Sequence, residues 1–564
     1  MRVQHFVALL PLIWLVFALV KLKWKSYLAI LSTLALTLVL ALTMWHFPVG
    51  EAATTVVEGA VAAIWPIFLI ILAAMFVYDL SVYTGGMEAI KAMLAGVSND
   101  SRILALIIIW GFGGFMEGMA GFGTAVAIPA AMMIAVGVNP LAAAIAAMIA
   151  NALPTAFGAV GIPTLTLAQI TRMDLLRIGF ASTLQMAPIT LLVPFIIVMI
   201  VGGGVKALKG MVIPCLIAGI TLVIPQLLLT GTIGPELAIT VPAIISMAAL
   251  VAYVKLRKPN VLPAYALTGS VAAAANTNDA DWEGIEPDLA VGAEADEAHG
   301  NNCLDDAELN GAQEISVLAR EPMPIIKATL PFILVLVLLL LTSKVVVPIN
   351  AFLGQFATAI TISTSPAAVP INFAWLNTPG LWIFVAAIIT AIVQRVSFGA
   401  FIRQFATTFR RMLPTLYAIM GVLALAKVMT YSGMIADMAD LFVRATGRFF
   451  PFISPVIGAL GAFVTGSGTN TQVLMGPLQT SAAETLGYSP YWLGAANQMG
   501  AGIGKVISPQ CIAVLVGATA MQGRESELLK GSLKWIGLML VLAILIVGLA
   551  SGLMMPIISW LNHV

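Results

Sequence analysis

The sequence predicts an all-α polytopic membrane protein with two inverted repeats, interrupted helices and about 12–14 membrane spans. Three observations support this prediction. The chain of 564 residues is 60% hydrophobic and only 9% charged, whereas soluble domains carry roughly 25% charged residues. Apolar stretches long enough to cross a hydrocarbon core of ~30 Å recur along its length. Related motifs also occur once in each half of the chain.

Twelve stretches have the length and composition of membrane spans. They cover residues 6–20, 27–45, 61–78, 103–116, 178–200, 211–229, 237–254, 325–348, 379–394, 413–431, 451–465 and 535–557. Two further regions, 117–165 and 466–520, are apolar but dense in Gly, Pro, Asn, Ser and Thr. Non-helical backbone at membrane depth is tolerated where it lines a cavity. These regions therefore predict broken or re-entrant helices around a cavity.

Basic residues predict the orientation of the chain, because cytoplasmic loops are rich in Lys and Arg. Lys21, Lys23 and Lys25 follow the first apolar stretch and place that loop in the cytoplasm, with the N-terminus on the other side. Glu58 then falls on the extracytoplasmic side. Lys427 lies near the end of a span, and we expect its side chain to extend to the membrane interface.

An acidic segment divides the chain into two halves. Residues 259–322 carry 13 of the 26 acidic residues and few large apolar ones, a composition typical of a disordered linker. We expect a first transmembrane half at 1–258, with a repeat core at about 61–165, and a second at 323–564, with a repeat core at about 413–520. The linker lies in the cytoplasm in this assignment, as a tolerated insertion or a regulatory segment.

The two halves carry the same motifs at a nearly constant offset. The first copies are Tyr83–Met87, Gly114–Gly118, Ala150–Asn151, Gly158 and Pro163, and the second copies are Tyr431–Met434, Ala462–Gly466, Ala496–Asn497, Gly504 and Pro509. The basic loops orient the two copies oppositely. Inverted repeats with discontinuous helices are typical of secondary transporters, which hold their substrate where the copies meet.

Two charged residues lie at apparent membrane depth within these motifs, Glu117 and Lys505. A buried carboxylate is unfavourable unless it is protonated, paired or hydrated, and it usually marks a functional site. Glu117 is our candidate for proton coupling, with a structural cap of helix N–H groups as the alternative. Lys505 is a candidate counter-ion for the substrate carboxylate, with a structural partner for Glu117 or for helix C-terminal carbonyls as the alternative.

The glycines, hydroxyls and amides around the predicted breaks form the candidate substrate-binding set. Free N–H groups at the ends of half-helices favour anions, and glycine allows close backbone approach. The set comprises Gly118, Gly121, Phe122, Gly123, Thr124, Asn151, Thr465, Ser467, Thr469, Asn470, Asn497, Lys505, Ser508 and Gln510. Asn151 and Asn497 have helix capping as their alternative role.

Other classes of function find little support in the sequence. The three cysteines and four histidines are widely separated, so neither a metal site nor an enzymatic nucleophile is indicated, and we expect no cofactor. Neither glycine-rich stretch fits the phosphate-binding pattern GxxxxGK[ST]. The net charge of +1 gives no indication of nucleic acid. A channel remains open, and uncoupled flux would identify it.

Five stretches resemble the L-lactate permease family, the bacterial lactate/glycolate:proton symporters. They read EGMAGFGTAVAI, ANALPTAFGAVGIP, GPEL, LALAKVMTYSGM and AANQMGAGIGKVISPQCIAV. The resemblance covers nearly the whole chain apart from the acidic segment. It implies a multi-pass protein of the bacterial plasma (inner) membrane that takes up 2-hydroxymonocarboxylates (L-lactate, D-lactate, glycolate) with protons. A sodium-coupled carboxylate transporter is the alternative.

This chain departs from the usual motifs of that family at two places. Gly468 stands where the family typically has an aspartate, and Gln498–Met499 replaces a small hydroxyl pair. Both departures fall within the second copy of the predicted site.

Overall fold

The computed structural model describes residues 3–22, 24–121, 124–257, 261–267, 323–343, 346–366, 368, 370–519, 521 and 524–553. Almost all of the regular structure is helical. Ten helices are long and apolar enough to cross a membrane, or up to twelve if each of two bent pairs counts as one span. The prediction of an all-α polytopic membrane protein is therefore confirmed.

The helices before the acidic segment lie within residues 3–257. They are α1 Val3–Val7, α2 Leu10–Val20, α3 Ser26–Met44, α4 Val49–Ala62, α5 Leu69–Tyr83, α6 Gly86–Ala95, α7 Ser101–Ala105, α8 Gly113–Met119, α9 Thr124–Ala135, α10 Pro140–Asn151, α11 Gly158–Thr171, α12 Leu175–Val201, α13 Val212–Thr232 and α14 Thr240–Arg257. Wider π-helical turns, Ala63–Phe68 and Leu106–Phe112, join α4 to α5 and α7 to α8.

The helices after the acidic segment repeat much of this order. They are α15 Ile325–Thr342, α16 Val347–Gly354, α17 Pro379–Val393, α18 Phe398–Tyr431, α19 Met434–Thr446, α20 Phe450–Thr465, α21 Gly468–Leu486, α22 Pro490–Lys505, α23 Pro509–Ala518 and α24 Glu525–Leu553. Between α16 and α17, strands β1 (Ala357–Ile360) and β2 (Ile371–Ala374) pair antiparallel, with Ala357 opposite Ala374. The run from α3 to α12 thus has a counterpart in the run from α17 to α24.

One pair of equivalent helices shows that the two copies run in opposite directions. In the first copy it is the bent α4–α5 unit, and its counterpart in the second copy is α18. Lys427, near the end of α18, pairs with Glu58 in α4. Asp79, near the end of α5, accepts hydrogen bonds from Thr408 and Arg411, which lie in the first half of α18. This antiparallel arrangement is what inverted copies require.

Local sequence signals explain where the interrupted helices begin. The side chain of Asn139 accepts hydrogen bonds from the N–H groups of Leu141 and Ala142, directly before α10. Ser508 accepts from the N–H of Cys511 in the same way before α23. Each cap is followed by proline at the first helical position, where its missing N–H is harmless and its fixed φ suits a helix.

The first half contains two more helices, α13 and α14, which pack beside α12 and the α7–α8 unit. The loop between α12 and α13 is held by Arg102 of α7, which is buried and forms an ion pair with Asp100. Arg102 also donates to the carbonyls of Ala207 and Lys209 and lies 4.0 Å from the ring centre of Tyr265. Residues 261–267 are thereby held against the membrane helices. The acidic segment that follows them lies outside the described residues, so its predicted disorder and the predicted half boundaries stay predictions.

Candidate functional site

Four helix breaks meet at one place between the two halves. They separate α8 from α9, α10 from α11, α20 from α21 and α22 from α23. Glycines at these breaks allow the approach, because a methyl group added to them would meet a residue of another break or of the adjoining helix. The pairs are Gly121 with Ala159, Gly158 with Glu117, Gly468 with Thr155, and Gly466 with Gln510. The predicted interruptions near 117–124 and 465–472 are therefore present, and they converge.

The start of α11, where the chain leaves its break from α10, has an unusual backbone. Ala159, Val160 and Gly161 have φ values of 44°, 60° and 76°, all in the left-handed region. Only the last of these is a residue that adopts this conformation readily. Strained backbone of this kind persists where surrounding packing imposes it and is often associated with function. Here it directs Gly158 against the carboxyl group of Glu117.

Glu117 and Lys505 form an ion pair between the two halves. Lys505 Nζ lies 3.2 Å from Glu117 Oε1, with side-chain exposures of 12% and 2%. Glu117 is in α8, and Lys505 is the last residue of α22. The other carboxylate oxygen, Oε2, is buried and accepts no hydrogen bond from the described residues. The acid is therefore paired on one side only.

Thr155 connects this pair to Asn151. Its hydroxyl accepts a hydrogen bond from Lys505 Nζ at 3.3 Å and from Asn151 Nδ2 at 3.4 Å, and it donates to the backbone carbonyl of Asn151 at 2.9 Å. We did not predict a role for Thr155 from the sequence. Its position four residues after Asn151, one helical turn, was the available signal.

Asn151 Oδ1 is buried and, in the described part of the chain, has no donor. The same holds for Asn470 Oδ1 in the first turn of α21. We call these two oxygens and Glu117 Oε2 the open acceptors. A buried acceptor without a donor is unfavourable by roughly 1–3 kcal/mol. Such atoms therefore indicate where a proton, a water molecule or a ligand donor binds.

The hydroxyls of the second copy mainly stabilise the break between α20 and α21. Thr465 donates to the carbonyl of Ser467 at 3.1 Å and lies 3.1 Å from the hydroxyl of Thr471. Ser467 caps α21 by accepting from the N–H of Asn470 at 3.3 Å. Thr469 follows in the same turn and is half-buried. These predicted substrate-binding residues lie at the convergent breaks, and Thr465 and Ser467 also hold the backbone there.

Asn497 differs from its repeat equivalent Asn151. Its Nδ2 donates to Gln472 Oε1 at 2.8 Å, and its Oδ1 accepts from Gln479 Nε2 at 3.4 Å. Gln479 is in turn bonded to Ser454. Both ends of the Asn497 amide are thus occupied within the second half, which fits the alternative structural role.

The remaining predicted site residues have varied positions. Gly118 packs against Thr240 of α14 rather than facing Lys505. Ser508 caps α23, and Gln510 is exposed beside Gly466. Phe122, Gly123 and the side chain of Thr124 lie outside the described residues.

A buried ion pair between Glu58 and Lys427 was not anticipated. Lys427, which we expected to extend to the membrane interface, instead pairs with Glu58, so that prediction was wrong. Tyr431 donates to the same Glu58 oxygen at 2.9 Å, and the N–H of Ser363, between the β-strands, donates to the other at 3.3 Å. Both oxygens of Glu58 are therefore occupied, in contrast to Glu117. Tertiary packing of α4, α18 and the hairpin creates this pair.

The described ranges contain no group of three or more His, Cys, Asp or Glu side chains that could hold a metal ion. Among the described residues, the convergent breaks offer the acid of Glu117, the ammonium of Lys505, the open acceptors, hydroxyl groups such as that of Thr155, and backbone groups.

Comparison with known proteins identifies the family. The model of the L-lactate permease family matches residues 4–558. The chain belongs to the L-lactate permease family. An L-lactate permease of Streptococcus iniae is 36% identical over 497 residues, which cover 88% of this chain and 94% of that protein. The glycolate permease GlcA of Escherichia coli (strain K12) is 34% identical over 547 residues, covering 94% and 92%.

Among solved structures, the YdaH transporter of Alcanivorax borkumensis is similar with a TM-score of 0.41 and 13% identity, covering 88% of this chain and 87% of that one. Membership of the L-lactate permease family, together with ten to twelve apolar helices, makes this protein a multi-pass membrane permease.

The two positions at which we expected this chain to depart from the motifs of the L-lactate permease family, Gly468 and Gln498, both contact the segment between α10 and α11. Gly468 packs against the methyl group of Thr155. Gln498 donates to the carbonyl of Ala156 at 2.9 Å and also to Thr164, and it accepts from Ser182 at 2.5 Å. Gln498 thereby fixes the break that carries Thr155.

Proposed function

We propose that this permease imports small 2-hydroxymonocarboxylates, namely L-lactate, D-lactate and glycolate, by proton symport across the bacterial plasma membrane. The observation that carries the proposal is the buried pair of Glu117 and Lys505, which joins the two halves and leaves Glu117 Oε2 as an open acceptor. The names of the relatives support the substrate class.

Lys505 is the binding group for the substrate carboxylate. An ammonium group has three hydrogens to donate, and among the described residues Glu117 and Thr155 take two of them. A substrate carboxylate that approaches Lys505 meets the negative charge of Glu117. Protonation of Glu117 removes this repulsion and weakens the ion pair between Glu117 and Lys505. The substrate carboxylate then replaces Glu117 as the counter-ion of Lys505.

The charges at this pair favour a ratio of one proton to one monocarboxylate. In the empty site, Glu117 and Lys505 neutralise each other. In the loaded site, the protonated acid is neutral and the substrate anion neutralises Lys505. Net charge at the pair is zero in both states, so neither state carries the additional desolvation penalty of an uncompensated buried charge. A ratio of two protons per substrate, or of none, would leave one buried charge uncompensated.

Transport into proteoliposomes tests this proposal. We expect an inward proton gradient to drive accumulation of labelled L-lactate, D-lactate and glycolate, and an inward sodium gradient at constant pH to drive none. A membrane potential imposed with potassium and valinomycin should leave the accumulation ratio unchanged, because the transported unit is neutral. Accumulation driven by sodium alone would contradict proton symport, and downhill flux that ignores the proton gradient would indicate a channel.

A further inference from the structure

The two repeat-related asparagines, Asn151 and Asn497, differ in the hydrogen bonds that their side-chain amides make. Each is the second residue of the Ala-Asn pair that occurs once in each half of the chain. Both are buried, with 4% and 0% exposure. The amide of Asn497 is bonded at both ends to glutamines of α21. Asn151 donates from its nitrogen to Thr155, while its oxygen is an open acceptor. The inverted repeat is therefore asymmetric at this position.

The side-chain amide of Asn151 is connected to the proposed carboxylate-binding group, Lys505, through a single hydroxyl group. The nitrogen of the same amide and the ammonium of Lys505 bond to one oxygen, the hydroxyl of Thr155. We therefore expect a ligand that pairs with Lys505 through its carboxylate to have the Asn151 amide within reach of its second carbon. The carboxylate and hydroxyl of a 2-hydroxy acid are on adjacent carbons, which suits this short separation.

The amide orientation is fixed by its neighbour. The hydroxyl hydrogen of Thr155 is committed to the backbone carbonyl of Asn151 at 2.9 Å, so this hydroxyl offers only acceptor capacity to the side chain. Asn151 must therefore direct its NH₂ group to Thr155 and its carbonyl away from it. The atom of this amide that has no partner among the described residues is therefore an acceptor, not a donor.

We propose that Asn151 Oδ1 accepts a hydrogen bond from the 2-hydroxyl group of the substrate and so selects 2-hydroxy acids against acids of the same size that lack this donor. The inference rests on the proposed function and assigns its substrate specificity to one atom of the first copy. Propionate offers no group to this acceptor. Pyruvate offers a carbonyl oxygen, which is itself an acceptor and is repelled.

Competition against labelled L-lactate exchange in proteoliposomes tests the proposal. For the wild type, we expect propionate and pyruvate to inhibit at least about tenfold more weakly than L-lactate, because each leaves a buried acceptor without a donor. In Asn151→Leu, the acceptor is lost, and the ratio of propionate to L-lactate inhibition constants should fall to about one. Asn151→Asp retains an acceptor and should keep the wild-type preference, although its added charge weakens all three anions.

Asn497→Leu is the matched control, since its amide is already occupied within the protein. We expect it to leave the ratio of inhibition constants as in the wild type, whatever its effect on the amount of folded protein. An Asn151→Leu variant that keeps the wild-type ratio overturns the proposal. A wild type that binds propionate as tightly as L-lactate also overturns it, even where Asn151→Leu does not fold. A wild type that does not exchange L-lactate contradicts the proposed function instead.

Discussion

Lys505 Nζ lies 3.2 Å from Glu117 Oε1, although the two residues are 388 positions apart in the chain. Each side chain is at a helix break of a different half, and Thr155 provides the only other hydrogen-bond partner of the ammonium within the described residues. The two inverted copies thus contact each other through a pair of opposite charges. Any movement of one copy against the other must act on this pair.

Replacement of Glu117 by Gln should separate substrate binding from proton coupling. Gln resembles the protonated acid, so we expect Glu117→Gln to exchange internal for external L-lactate but to lose accumulation driven by a proton gradient. Both activities are measured in the same proteoliposomes. If the variant accumulates L-lactate as well as the wild type does, Glu117 is a structural cap.

Glu58→Gln is the contrasting variant, because Glu58 is also buried and paired with a lysine but has both oxygens occupied. It should lower thermal stability and the amount of folded protein. The molecules that fold should still couple accumulation to the proton gradient. If Glu58→Gln loses coupling and Glu117→Gln does not, the proton is carried by Glu58 and our assignment of it to Glu117 is wrong.

Removal of Lys505 alone should destabilise the protein more than removal of the whole pair. Lys505→Met leaves the Glu117 carboxylate buried without its counter-ion, which is unfavourable by about 3–5 kcal/mol. In the double variant Lys505→Met with Glu117→Gln no charge is left unpaired, so part of this stability should return. Thermal unfolding of the four proteins of this cycle in detergent measures the coupling. Additive effects would show that the two side chains do not interact.

Gly158 should tolerate no side chain, because an added methyl group would meet Glu117 Oε1. Gly158→Ala must displace the carboxylate from Lys505, and we expect initial uptake of L-lactate to fall by a factor of about ten to one hundred. Gly50→Ala is the control, since the space around its added methyl group is open, and it should transport normally. Normal uptake by Gly158→Ala would mean that the position of the carboxylate is not critical.

The effect of deleting the acidic segment on folding and transport should depend strongly on the residue at which the deletion begins. Leu267 donates its N–H to the carbonyl of Asn99, and Tyr265 packs on Arg102. We therefore expect a deletion of residues 268–318 to transport L-lactate at close to the wild-type rate. A deletion that begins at residue 261 removes these contacts and should reduce the amount of folded protein. Loss of transport in the shorter deletion, with normal folded protein, would assign the segment a role in function.

The sequence by itself determined much of the architecture and the location of the site. Apolar stretches define the spans because the thickness of the membrane sets their length. The repeated motifs, their glycines and their prolines indicate where helices are interrupted, since these effects act within a few residues. Glu117 and Lys505 stood out for a similar reason, because a charge within an apolar stretch is visible without knowledge of its neighbours.

Only the tertiary structure decided which of these groups meet and which are satisfied. Asn151 and Asn497 are equivalent in sequence, yet one amide has an open acceptor and the other is fully bonded by Gln472 and Gln479. From the sequence we expected Glu58 on the extracytoplasmic side and Lys427 at the membrane interface, whereas the packing of α4 against α18 pairs them. Hydrogen-bond satisfaction depends on partners that are distant in the chain, and such partners are set by how whole helices pack, not by local sequence.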